Sequence, residues 1–283
     1  MSDAAPPARQ AGRPSAARPP LWRRLGWLLP VVICFALLFA LSFLPADRSL
    51  RQIDEQGLIS VCMPESYPPL VTGEPERPGF EVELVREIAE RAGWRLRVSS
   101  NPYMGRDFNP RAWHINRSIC QMVAGGVALS DTTQAFMDTG APHLETGWAM
   151  LSAGPQEAPE EGQTAAFYAG LAGLDRIGLG QYLRGQGTTA RIVQSPAALL
   201  EALETGEAEI AITEALIAQT LIAERPDLTL TWLPGELGRI PLGFGFWRGD
   251  LTLRREVTRL LEEIESDGTF AELASRYSLD QSR

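Results

Sequence analysis

Residues 25–46 read LGWLLPVVICFALLFALSFLPA, an apolar run without one charged side chain. At a rise of about 1.5 Å per residue, a helix of that length clears a bilayer core of about 30 Å. Beyond it, short apolar runs alternate with amphipathic stretches. Residues 58–63 (LISVCM) predict a strand, closed by the Pro-rich turn PESYPP. After Gly79, FEVELVREIAERAGW puts Val82, Val85, Ile88, Ala89 and Ala92 on one helical face and stops at Gly93. Residues 95–98 predict a second strand, and the continuously apolar 120–125 a buried parallel one.

The second half repeats this grammar. Strands are predicted at 176–180, 191–194, 209–213 and 228–233, and helices at 196–205 and 215–223. Residues 154–173, rich in Gly, Pro, Ala and Glu, read as a loop with room for a short helix. Leu253, Val257, Leu260, Leu261 and Ile264 recur at helical spacing, Asp267-Gly268 stops that helix, and 270–277 form another. Two α/β units in series predict an α/β protein of two lobes with a ligand cleft between them.

Charge sharpens this picture. Residues 1–46 hold five Arg against one Asp, yet the whole chain is at −9, so the remainder is strongly acidic. Such a body lacks the basic surface that nucleic acid demands, and no nucleic-acid partner is expected. All 26 basic residues are Arg, which excludes Schiff-base and P-loop lysine chemistry. Arg23 and Arg24 precede the apolar run, so the positive-inside rule places the bulk of the chain outside the cytoplasm. Residues 1–24 are then a disordered cytoplasmic segment and 25–46 a single-pass signal anchor in the inner membrane. A cleaved signal peptide and a lipoprotein signal at Cys34 are the alternatives. On the outer side only Cys62 and Cys120 remain, either paired as a disulfide in an oxidising compartment or left as two buried thiols. Two Cys and two His (His114, His143) have no metal-ligand spacing, so neither a metal nor a cofactor is expected.

Five segments stand in order over about 56–280: LISVCMPESYPPL, GFEVELVREIAERAG, the strand ending AGG before SDTTQAF, ETGEAEIAITEALIA, and LRREVTRLLEEIESDGTFAELASRY. Together they resemble the family 3 extracytoplasmic solute-binding proteins, the group serving polar amino-acid ABC transporters. The resemblance implies a two-lobed periplasmic-binding-protein type II fold. One lobe would take in 56–147 plus 247–283 and the other 152–240, with hinge crossings at 146–151 and 241–246. Ligand contacts to both lobes would favour the shut state.

Carried over residue by residue, the resemblance also implies a site. Amino-acid binders of the family carry Thr-Pro-Glu-Arg after the Gly-ended strand, and its Arg grips the ligand carboxylate. Here Ser130, Asp131, Thr132 and Thr133 stand at those positions, so a hydroxyl replaces the guanidinium. The family acid that meets the ligand ammonium falls at Glu214. Ser130, Thr132, Thr133 and Glu214 are therefore candidate contacts to a small polar ligand other than a standard α-amino acid. Loop 101–118 adds Arg106 as a further candidate, the alternative being a solvated insertion. Tyr67 and Phe80 are candidate apolar walls, or core. His143 reads as a satisfied structural histidine.

The leading expectation is a membrane-anchored periplasmic protein that captures a small polar solute for an ABC permease or a sensor. A narrower likeness, at SVCMPE and CQMVAGG, is to solute-binding-like proteins associated with periplasmic quinoprotein dehydrogenases, and implies an accessory role as the alternative. Glu65, Glu81, Glu214 and His143 are the acids and bases at hand, but no nucleophile–base pair is readable, so the chain is not expected to be an enzyme.

Overall fold

The computed structural model describes residues 28–41, 47–105, 109–170 and 173–279. The chain forms two units, Met1–Ala46 and Asp47–Arg283. In the first, helix α1 (Leu28–Leu41) occupies the apolar run. Its 14 residues rise about 21 Å. No helix among the described residues is long and apolar enough to cross a membrane. The expected spanning helix over 25–46 is thus not shown, and residues 25–27 and 42–46 lie outside the described ones.

The second unit begins with α2 (Ser49–Gln56), which leads into β1 (Leu58–Pro64). Helix α3 (Phe80–Arg91), β2 (Arg95–Asn101), a 3-10 turn (Pro110–Trp113) and β3 (Met122–Ala128) follow. β1 lies between β2 and β3 and is parallel to both, as the apolar runs predict. A short α4 (Asp131–Gln134) then gives way to the 15-residue β4 (Asp138–Ser152). The second lobe holds β5 (Thr164–Phe167), α5 (Arg176–Gly185), β6 (Thr189–Ile192), α6 (Pro196–Glu204), β7 (Ile210–Glu214), α7 (Ala215–Glu224) and β8 (Thr229–Trp232). β9 (Arg239–Phe246) returns to the first lobe, closed by α8 (Leu251–Ser266) and α9 (Thr269–Arg276).

One continuous path of strands, β2-β1-β3-β9-β4-β7-β5-β6, joins the lobes, with β8 added against β4. β4 is the shared element. Its first part, to Gly147, pairs with β9, and its last, from Trp148, pairs with β7 and β8. The crossing strands run side by side at Thr146–Ile240 and Gly147–Arg239. The second crossing, expected at 241–246, therefore lies earlier, because Leu242–Phe246 already pair with β3 in the first lobe.

Strand alternation sets the core. Val61 and Met63 of β1 face a cluster with Phe80, Leu84, Leu260, Ile264 and Phe270. Cys62, between them, faces the opposite side, with Met104, Trp113, Ile115, Cys120 and Met137. In the second lobe Trp148 and Met150 face one cluster, and Ala149 and Leu151 another.

Two sequence expectations fail locally. Residues 176–180 are helical, because Asp175 caps α5 by accepting the N–H groups of Ile177 and Gly178 at 2.9 and 3.0 Å. Within the expected loop 154–173, the small TAAF forms β5, an interior strand parallel to β6 and β7.

Cys62 and Cys120 are joined by a disulfide, with Cα atoms 5.6 Å apart and a sequence separation of 58. Closing a loop of that length stabilises the folded chain by about 4 kcal/mol in the chain-entropy account. Replacing both cysteines by Ala is expected to lower the unfolding free energy by about that amount in urea titrations. A loss below about 1 kcal/mol would mean that the surrounding apolar cluster alone fixes the two strands.

Candidate functional site

Two buried carboxylates organise the site, one at the junction of the lobes and one inside the first lobe. Glu214 ends β7 and precedes α7, and its side chain is fully buried. Rather than capping α7, its carboxylate accepts the Tyr67 hydroxyl and, at 3.0 Å, the Thr146 hydroxyl. Tyr67 belongs to the turn after β1, which is fixed by Tyr67 N–H donating to Val71 O (2.6 Å) and Leu70 N–H to Tyr67 O (2.8 Å). Thr146 lies on β4 where it crosses. The contact therefore ties the first lobe, the crossing strand and the second lobe together.

Glycines make room for both partners. Gly170 has φ +69°, and a Cβ there would sit 2.4 Å from Glu214 Oε2. Gly126 has φ +82°, and a Cβ would stand 2.3 Å from the Tyr67 ring.

The second carboxylate, Glu81, lies one residue into α3 and is fully buried. Its Oε2 accepts the N–H groups of Gly125 (2.5 Å) and Gly126 (3.2 Å), within β3 where its register against β9 shifts. Its Oε1 meets His143 Nε2 at 3.1 Å, and the imidazole lies over Phe244 with ring centroids 4.5 Å apart. Nδ1 of His143 is buried with no hydrogen-bond partner among the described residues. His143 is thus held on one nitrogen only, which is less complete than the satisfied structural histidine expected. Glu81 is the orienting partner that sequence spacing did not reveal.

Burial, and after it the charge on Glu214, pushes the Tyr67 phenol well above its ordinary value of 10.0. Tyr67 therefore stays a neutral donor to Glu214 at every physiological pH.

The other candidates fall elsewhere. Ser130 caps α4, accepting Thr133 N–H at 3.3 Å, and its hydroxyl lies 3.2 Å from that of Thr133. Thr133 is buried and Thr132 exposed, and neither bonds to Tyr67 or Glu214. Phe80 is not a ligand wall. It is fully buried and packs edge-on against Phe270 and Tyr277 in the first-lobe core. Arg106 lies outside the described residues. The rest of its loop is no free insertion, since Met104, Trp113 and Ile115 bury into the disulfide cluster and Asn101 Nδ2 donates to Trp113 O at 2.8 Å. Thr146 and Gly170 are contacts that sequence reasoning missed, their side chains or backbones being placed by a strand crossing and a turn rather than by a motif. Among the described residues no group of His, Cys, Asp and Glu has the arrangement of a metal site.

This architecture, two α/β lobes sharing crossing strands over a buried acid, is that of a two-lobed solute-binding protein. The family model for bacterial extracellular solute-binding proteins, family 3, matches residues 59–280, and the chain belongs to that family. Solved structures agree at the level of fold. The L-cystine solute receptor of Neisseria gonorrhoeae, in the unliganded open conformation, is 17% identical with a TM-score of 0.65, over 81% of this chain and 95% of that one. An ancestral cationic amino acid solute-binding protein is 16% identical with a TM-score of 0.65, over 81% and 99%. A mutant of ArgBP from T. maritima is 18% identical with a TM-score of 0.56, over 81% and 98%. No curated protein matches the sequence.

A phenol whose pKa rises on folding contributes stability that is whole below its unfolded value of about 10 and is lost as pH climbs past it. Unfolding free energy measured in urea is expected to fall above pH 10 more steeply in the wild type than in Tyr67→Phe. Parallel curves would show that Tyr67 ionises as freely folded as unfolded.

Proposed function

We propose that this chain is an extracytoplasmic solute-binding protein that captures a small polar solute between its lobes, with Glu214 receiving a donor group of the solute. The observation that carries this reading is the buried Glu214 carboxylate, which accepts hydroxyls from the first lobe at Tyr67 and from the crossing strand at Thr146. A solute ammonium makes a stronger, charge-assisted bond to a carboxylate than a phenol does, so it competes for the Tyr67 position. Neutral hydroxyls rather than a guanidinium stand at Ser130, Thr132 and Thr133, which disfavours a solute carboxylate there.

In this reading the lobes are 56–147 and 152–240, with the returning part of the first lobe beginning at Leu242 rather than 247, and they close about the paired crossings of β4 and β9. The apolar run 25–46 tethers the chain to the inner membrane with its lobes in the periplasm, where an ABC permease or a sensor takes up the bound form. Neighbours of the same fold support solute capture: their names describe receptors for cystine, arginine and cationic amino acids. One is described as an ancestral amino acid-binding protein that is a precursor of cyclohexadienyl dehydratase.

A second reading, an accessory protein of a periplasmic quinoprotein dehydrogenase, is favoured by the Cys62–Cys120 disulfide and by the direct Tyr67–Glu214 contact between the lobes. Thermal-shift screening of the purified full-length chain against amines, amino acids and other small metabolites separates the two. Solute capture predicts a ligand-dependent rise in Tm that weakens at least tenfold in affinity in Glu214→Gln. No response to any solute, with co-purification of a dehydrogenase, would replace capture by the accessory role.

A further inference from the structure

Beside the Tyr67–Glu214 contact lies a groove of about 400 Å3. One face of α7 forms its floor, where Ile217, Thr220, Leu221 and Glu224 recur at the i, i+3, i+4, i+7 spacing of a single helical stripe. Thr220 donates its hydroxyl to Leu216 O at 3.2 Å, so its bonding need is met within the helix. The groove's lining also includes Tyr67, from the first lobe, and Tyr168, which follows β5 in the second. Pro196 and Ala197, at the start of α6, close one side.

The chemistry of this groove is one-sided. Its walls are aliphatic and aromatic, none of its lining residues is basic, and its one charged residue is Glu224, exposed at the rim. A second carboxylate, Glu214, lies directly behind the Tyr67 hydroxyl. From Glu214 to Glu224 the backbone of α7 rises about 15 Å. Glu224 at the rim, Glu214 behind Tyr67 and two tyrosines in the lining together attract an organic cation, since aromatic rings add a quadrupolar contribution to that of the charges. The same arrangement repels a carboxylate, for which no lining residue offers a charged donor.

We propose that the groove along α7 is a subsite for the body of the solute, and that this solute is an elongated organic amine without a carboxylate, a diamine being the best fit to its two acidic ends. This rests on the reading that Glu214 receives the solute, and adds to it a place for the remainder of the molecule and a chemical class. One ammonium takes the Tyr67 position on Glu214, the hydrocarbon lies between Tyr67, Tyr168 and Leu221, and the far ammonium reaches Glu224.

Calorimetric titration of the full-length chain with α,ω-diaminoalkanes of increasing length, the matching monoamines and free arginine tests this. Two variants serve as controls: Glu224→Gln, and Ala197→Trp, which places a ring in the groove from an exposed position. The proposal expects diamines to bind more tightly than monoamines of equal length. It expects Glu224→Gln to cut diamine affinity at least tenfold while sparing the monoamine, and Ala197→Trp to abolish both without shifting Tm. Tighter binding of arginine than of any diamine, unaffected by either variant, would overturn the groove and its ligand class while leaving capture at Glu214 standing. Binding of none of the probes would overturn both.

Discussion

A carboxylate taken out of water must be given donors, and Glu214 is taken out of water at the junction of two lobes. An unpaired ion there would cost several kcal/mol, more than a typical domain can lose without consequence. Its hydroxyl donors come from two separate parts of the chain: Tyr67 from the turn after β1 and Thr146 from the strand that crosses. The stability of one buried charge is thereby made conditional on the relative position of the lobes. On the proposed reading, a solute group that satisfies Glu214 better than the phenol would release that contact and so couple binding to the position of the lobes.

The fold prepares this arrangement through β4. Because one strand serves both halves, with Gly147 and Trp148 on either side of the division, Thr146 and the end of β7 are held in register: Trp148 pairs directly with Glu214. The first lobe is stiffened from behind by the disulfide, and from within by Glu81, which fixes the Gly125 and Gly126 amides that lie against the Tyr67 turn. Gly126 allows the ring of Tyr67 to approach the β3 backbone, and Gly170 leaves room beside Glu214. Small residues at both contacts are what let the backbone come so close.

Much of the fold was legible because its elements carry strong periodicity. The stripe in FEVELVREIAER and that in α8 have one helical solution each, and LISVCM and MVAGGVA are short, almost wholly apolar runs as buried strands are. What escaped had weak or conflicting local signals. TAAF carries no β-branched core, and becomes a strand through neighbours far along the chain. The segment after Asp175 alternates like a strand yet is helical because of its cap. β4 is broken by Pro142 and by shifts of register, so its length was hidden. At the site, Tyr67 and Glu214 are separated by 147 positions and no spacing rule connects them, although each was identifiable alone. Phe80 looked equally suited to a wall or a core, and only the aromatic partners Phe270 and Tyr277 decide for the core.

The most direct measurement is the distance between spin labels on the two lobes, at the exposed positions Arg86 and Glu201, in wild type and in Tyr67→Phe. If the Tyr67–Glu214 bond holds the lobes together, the wild type gives one narrow distance distribution and the variant a broader one shifted to longer distances. Superimposable distributions would contradict the account, because the lobes would then be positioned by their crossing strands alone.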